Sequence, residues 1–392
     1  MSSWQRVITK SRQILLKITS KVRVNSIKGF LSLALVGVSL SVAIASCSGG
    51  NGNGTADNPT ANPVAAGNNK QDVEVTLVSF AVTKAAHDAI IPKFVEKWKQ
   101  EHNQNVTFKQ SYGGSGSQTR AVIDGLEADI VHLALALDTQ KIEKAGLIEP
   151  GWEKEVPNNA VVSRSVAALI TRPGNPKNIK TWADLEKGDI KVITADPKTS
   201  GVARWNFLAL WNSVIKTGGG EDKALDFVTK VYSNVPILTK DAREATDVFA
   251  KQGQGDALIN YENEVILAQQ KGEKVDYVVP DVNISIDNPI AVVDKNVDKH
   301  GTREVAEAFV QYLFTPEAQL EFAKLGFRPL DEAVAQNKEL KALADKYTKI
   351  NNLGNVQDYG GWAEVQKKFF EDGAVFDQIQ GKIRRKSIVI SH

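Results

Sequence analysis

Ser111-Tyr112-Gly113-Gly114-Ser115-Gly116-Ser117-Gln118 joins an extended segment to a helical one. Upstream, Asn105 to Gln110 alternates apolar and polar residues as a half-buried strand does; downstream, from Thr119 to Leu126, Val122, Ile123 and Leu126 fall at helical spacing. Glycine lets another group approach the backbone closely, and the N–H groups of a helix's first turn have no carbonyl of their own helix to bond. Such a turn attracts anions.

One Gly-rich turn is weak evidence, but the chain repeats the arrangement. Lys191 to Thr194 leads through Asp196-Pro197-Lys198-Thr199-Ser200-Gly201 into a helical pattern over Val202 to Ile215. Val235 to Leu238 is followed by Asp241-Ala242-Arg243 and a helix over Glu244 to Ala250. Val75 to Phe80 is followed by Ala81-Val82-Thr83 and a helix over Ala85 to Trp98. Four strand-to-helix turns rich in small residues have the chemistry to aim their N–H groups at one small anion.

Around these turns strands alternate with helices, and Asp129 to Leu137, Val166 to Thr171 and Ala257 to Asn260 read as further buried strands. The pattern predicts an α/β fold of doubly wound parallel sheets, with ligands at the carboxyl ends of the strands. At 392 residues, 42% hydrophobic and 24% charged, the chain is long enough for two such domains. Val161 to Arg172 carries it into the second, and Tyr261 to Gly272 brings it back, with Tyr277 to Pro280 and Ile290 to Asp294 resuming strands in the first. This assigns 73–162 and 272–381 to lobe I and 163–271 to lobe II, with a cleft between.

The ends differ in composition. Residues 1–46 hold seven basic residues, no acidic ones and an apolar run from Gly29 to Ala45, the pattern of an export signal. It ends in Ile44-Ala45-Ser46-Cys47, whose cysteine is the only one in the chain. Small residues before a lone Cys resemble a bacterial lipoprotein cleavage site, with Cys47 lipidated. An uncleaved anchor helix is the alternative, since roughly 17 apolar residues is the lower limit for a span. Residues 47–72 read as a flexible tether, and 382–392 as a disordered basic tail. Removing the seven basic residues of the signal from 48 leaves 41 against 46 acidic, a net of −5. Such a balance argues against nucleic acid, so an anion site here must act through local dipoles and hydrogen bonds.

Catalytic motifs are missing. Gly113-Gly114-Ser115-Gly116-Ser117 has Ser where a nucleophile elbow needs its last Gly, and no phosphate-binding G-x-x-x-x-G-K-[ST] loop occurs. His87, His102, His132, His300 and His392 lack ligand spacing and read as packing or surface residues rather than a metal site.

Together QSYGGSGSQ, GLEADIVHLALALD, RPGNPKNI, DPKTSGVARWN, YENE and GGWAEVQKKFF resemble the periplasmic sulfate-binding proteins of bacterial ABC importers, in their cyanobacterial form, over roughly 73–379. The resemblance implies a two-lobed periplasmic binding protein of type II that captures sulfate, or thiosulfate, for membrane permease subunits. It implies a periplasmic monomer held to the membrane through Cys47, with no catalysis, cofactor or metal. It places donors to the ion at the backbone N–H of Ala81, Ser115, Gly201, Val202 and Ala242, the Ser200 hydroxyl and the side chain of Tyr261. Ala81, Val202 and Tyr261 stand where the enterobacterial pattern has Asp, Gly and Trp. The first two substitutions keep the amide; the third exchanges an indole N–H for a hydroxyl that both donates and accepts. Arg204 is expected to pair with Asp138 behind these peptides instead of touching the ion. Molybdate or another oxyanion, and a ligand-binding subunit of a sensor, remain alternatives at this stage.

Overall fold

The computed structural model describes residues 71–390. The export signal, Cys47 and nearly all of the tether lie outside the described residues. The chain opens on β1 (Val73–Phe80), passes a 3-10 turn at Ala81–Thr83 into α1 (Lys84–His102), and returns on β2 (Val106–Gly113). α2 (Ser115–Ile123), β3 (Ile130–His132) and α3 (Ala136–Lys144) follow, and β4 (Val161–Thr171) leads away. A second unit contains β5 (Val192–Ala195), α4 (Gly201–Ile215), α5 (Glu221–Ser233), β6 (Leu238–Thr239), α6 (Ala242–Thr246), β7 (Ala257–Tyr261), α7 (Glu262–Gln270) and β8 (Asp276–Val278). β9 (Val282–Val292) then runs back to α8 (Asp294–His300), α9 (Arg303–Tyr312) and α10 (Pro316–Lys324). α11 (Asp331–Gln336), α12 (Lys338–Ala344), β10 (Asn352–Gly354), α13 (Gly361–Val365) and α14 (Val375–Ile390) complete it.

The strands lie in the order β2-β1-β3-β9-β4-β7-β5-β6, with β10 beside β9 and β8 beside β4. Two parallel groups, β2-β1-β3 and β7-β5-β6, are each flanked by one antiparallel strand, β9 for the first and β4 for the second. β4 and β9 also pair with each other, Ser163–Val166 opposite Asn288–Ser285. The result is two α/β lobes joined along these two long strands. Parallel strands covered by helices on both faces are buried throughout rather than on alternate residues, as β5 and β7 show. In the first lobe Val75, Leu77, Ile90, Phe94 and Phe309 pack on one face, and Val131, Leu133, Ile142 and Trp152 on the other. In the second, Ile193, Leu258, Phe249 and Val265 form a separate cluster.

Several boundaries differ from the sequence reading. The strand expected over Asp129 to Leu137 stops at His132, and Leu137 belongs to α3. A run buried on every side has no periodicity to separate strand from helix. Helix α2 begins at Ser115, leaving Gly114 as the turn residue. Of the strand expected over 235–238 only Leu238 pairs with β5, together with Thr239 beyond it, because Val235 N–H still bonds Tyr232 O at the end of α5. The helix expected over Glu244 to Ala250 begins at Ala242 and passes into a π turn at Asp247–Lys251.

The chain returns to the first lobe along β9, not over Tyr261 to Gly272, most of which is helix α7. β8, expected in the first lobe, pairs with Leu169–Thr171 of β4, the same residues that pair with β7. The basic tail expected to be disordered continues α14 to Ile390; its earlier turns are anchored by the buried Phe376 and Ile379 and the partly buried Ile383.

Candidate functional site

At the carboxyl ends of the parallel strands, six chain segments face one another around a small cavity. From the first lobe come Phe80 to Val82 after β1, Gly113 to Ser115 after β2, and Ala134 after β3. From the second come Ser200 to Val202 after β5, Asp241 and Ala242 after β6, and Tyr261 at the end of β7. All seven sequence-inferred donor residues therefore line one space. Its free volume is about 10 Å³, in the measure in which one water needs roughly 10–15 Å³. That leaves no place for an organic solute, whose pockets run to roughly 300 Å³ or more. A larger open groove of about 860 Å³ near His300 and Thr302 lies at the other end of the first lobe.

The cavity presents donors. Ala81, Ser115, Gly201 and Ala242 are first residues of helical turns, and Val202 is second, positions whose N–H groups find no acceptor within their own helix. Ser200 caps α4 by position, yet its hydroxyl makes no capping bond. Tyr261 is 1% exposed and its hydroxyl has no hydrogen-bond partner among the described residues. Burial first, then the nearby Glu264 and Asp138, raises its pKa well above the usual phenol value, so the proton stays available to donate. Asp241 brings the one carboxylate on the rim, and its Oδ1 accepts from Glu244 N–H at 2.9 Å, capping α6.

Behind the donors lies a second, charged layer. Ala134 N–H donates to Ser115 Oγ at 3.0 Å, Ser115 Oγ donates to Asp138 Oδ2 at 2.7 Å, and Arg204 Nη1 donates to Asp138 Oδ1 at 3.2 Å. Arg204 Nε donates to Pro197 O at 3.0 Å, at the start of the Ser200 turn. The guanidinium and carboxylate come from different lobes, so their pairing joins the lobes and fixes two donor turns. Trp205 Nε1 and Asn288 Nδ2 both donate to Ala134 O, at 2.8 and 2.9 Å. Asn260 Nδ2 donates to Ala242 O at 2.8 Å while its Oδ1 accepts from Tyr261 N–H. The peptides are thus oriented before any ligand arrives, which removes part of the ordering cost of binding.

On the first-lobe side of Phe80, His87 Nε2 and His132 Nδ1 are 3.1 Å apart, His132 Nε2 meets Ser163 Oγ at 3.2 Å, and Ser163 Oγ donates to Asn288 Oδ1 at 3.2 Å. Burial, then Lys84, pushes His87 down to about 3; burial, then His87, holds His132 well below its usual value. Both rings are neutral near pH 7.

Sequence reasoning missed Ala134, Trp205, Asn260, Asn288 and Gly114. A polar residue inside an otherwise apolar strand, such as Asn260 in Ala257–Tyr261, was the available signal, because a buried amide needs partners.

A family model described as bacterial extracellular solute-binding protein matches residues 75–328. The sulfate-binding protein of Synechococcus elongatus is 62% identical over 319 residues, 81% of this chain and 90% of that protein. That of Synechocystis sp. is 57% identical over 329 residues, 83% and 92% of the two chains. Among solved structures, the sulfate-binding protein SubI from Mycobacterium tuberculosis superposes with a TM-score of 0.69 at 35% identity, covering 76% of this chain and all of that one.

Proposed function

We propose that this chain, which belongs to the bacterial extracellular solute-binding protein family, captures sulfate outside the cytoplasm and delivers it to an ABC importer in the membrane. The observation that carries the reading is the orphaned, protonated Tyr261 hydroxyl facing a cavity ringed by helix-start N–H groups. A buried polar group without a partner costs about 1–3 kcal/mol, and a ligand that only accepts hydrogen bonds removes that cost. Sulfate is a proton-free dianion near neutral pH. Protonated phosphate brings an O–H that must find an acceptor, and among the seven inferred donors only the hydroxyls of Ser200 and Tyr261 have one to offer.

Hydrogen bonds to a charged partner contribute roughly 1.5–3 kcal/mol each. A micromolar dissociation constant needs about 8 kcal/mol, so seven neutral donors suffice even after the entropy of capture. Arg204 stays on Asp138 in this account, its charge already neutralised, which keeps release possible. Neither Asp138 nor Arg204 touches the ion. Both hold the peptides that do.

Isothermal titration with sulfate, thiosulfate, molybdate and phosphate tests the assignment. Strong binding of sulfate and weak binding of phosphate are expected; phosphate bound as tightly as sulfate would exclude a donor-only site. Copurification with permease subunits, rather than with a sensor kinase, tests delivery. The periplasmic monomer is held by a lipid on Cys47 in this reading. Fatty-acid labelling that survives Cys47→Ser would rule the anchor out.

A further inference from the structure

We propose that Gly114 determines closure of this cleft: at the rim the backbone of one lobe lies against the backbone of the other, and the missing side chain is what lets the lobes seal over a small oxyanion. The ligand named here rests on the sulfate reading above; the geometry does not. Along the strand path the joining strands β9 and β4 lie in the middle, while β2 and β6 are the two ends. Gly114 follows β2, Thr199 lies in the turn after β5, and Lys240 follows β6. The sheet curls until its ends meet.

A Cβ on Gly114 would stand 2.6 Å from Thr199 O and 3.0 Å from Lys240 O. Both are backbone atoms with little freedom, since Thr199 Oγ1 donates to Lys240 O at 2.8 Å and Thr199 N–H to Asp196 O at 3.1 Å. Gly114 itself has φ −62° and ψ 133°, a conformation open to any residue. Its own lobe therefore makes no demand for glycine; the demand comes from the opposite lobe. Gly116 sits one step back from the same seam, where a Cβ would lie 3.3 Å from Thr199 O, a distance that a shift of a few tenths of an ångström relieves.

Closure matters because the donors divide between the lobes, Ala81 and Ser115 on one side, Ser200 to Val202, Ala242 and Tyr261 on the other. A rim held apart leaves the ion with the partners of one lobe only. A ligand that needs both lobes loses apparent affinity by the fraction of closed molecules lost.

The test compares Gly114→Ala, Gly116→Ala and Gly188→Ala in the full chain, the last because its Cβ would meet nothing within 4 Å. Sulfate affinity is read by calorimetry and closure by tryptophan fluorescence, since Trp205 bonds Ala134 across the lobes. Gly114→Ala should raise the sulfate Kd by about tenfold or more while leaving the ligand-free melting temperature nearly unchanged. Gly116→Ala should shift both readouts the same way by less, and Gly188→Ala should match the wild type. Gly114→Ala binding sulfate as the wild type does would overturn the proposal. Should that variant not fold, Gly116→Ala decides by the same comparison. A wild type that responds to no oxyanion would end the sulfate reading alone. The ligand-free spectra then decide the seam: a difference between wild type and Gly114→Ala sustains it, and identical spectra sink it.

Discussion

Phe80 separates two buried polar clusters of opposite design, its ring packing edge-on at 5.3 Å from His132 and 6.2 Å from Tyr261. On one side Tyr112, His87, His132, Ser163 and Asn288 form an unbroken chain in which every imidazole nitrogen has a partner. On the other side the Tyr261 hydroxyl, without a partner among the described residues, and the helix-start amides line a small cavity. The first cluster contributes to stability and the second withholds it. A buried donor without a partner calls for an explanation, and a cavity beside it supplies one.

The largest way to disturb this contrast is at the layer that makes the donor side tolerable. Asp138→Ala leaves Arg204 buried without its counter-charge and Ser115 without its acceptor. A loss of about 3–5 kcal/mol is expected, read as a lower urea midpoint.

Acid should expose the histidine side. His87 and His132 are depressed in the fold and ordinary when unfolded, so the unfolded chain binds more protons below about pH 6.5. Stability is full above that value and falls as pH drops toward the folded pKa, by up to about 1.4 kcal/mol per pH unit for each ring. Urea titrations at pH 7 and pH 5 measure the slope, and His87→Gln should reduce it. A flat profile would mean that the rings are charged or exposed.

On the donor side, Ser200→Ala and Tyr261→Phe should each weaken sulfate by roughly 1.5–3 kcal/mol. Tyr261→Phe should leave the ligand-free protein as stable as before or slightly more so, because an orphaned hydroxyl disappears. Unchanged affinity in both variants would mean that the ion sits elsewhere.

The smallest effect belongs to His300, held at the far end of the first lobe between Glu127 and Asp129. Its hydrogen bonds to Glu127 and then Asp129 raise its pKa, the opposite sign to the buried pair. Its contribution is complete below the usual histidine value and disappears as pH rises through the folded one. His300→Gln should therefore flatten a modest stability decline between neutral and alkaline pH, measured by thermal melts.

Much of this was legible locally. Alternation of strand and helix, small residues at each strand-to-helix turn, and the lack of a nucleophile or phosphate loop are properties of neighbouring residues, and neighbouring residues carry them in any fold. Boundaries were less legible where burial erased periodicity. Leu133 to Leu137 reads as one apolar run, but the strand ends before it and a helix begins within it, at Ala136. The return was misplaced because Asn283, Asp287, Asn288 and Pro289 interrupt the apolar residues of Val282 to Val292, of which only the end from Ile290 reads as strand. Only pairing with β3 and β4 shows it as one strand.

The sequence by itself determined the kinds of donor available, amides at helix starts and two hydroxyls, together with the α/β alternation. Tertiary structure alone decided that those residues line one cavity, that Asn260 and Asn288 bond the carbonyls of Ala242 and Ala134, and that Gly114 lies against Thr199 and Lys240 of the other lobe. Donor chemistry and periodicity are written residue by residue. Convergence is a matter of distance between residues far apart in the chain, which exists only once the sheet has curled and its ends have met.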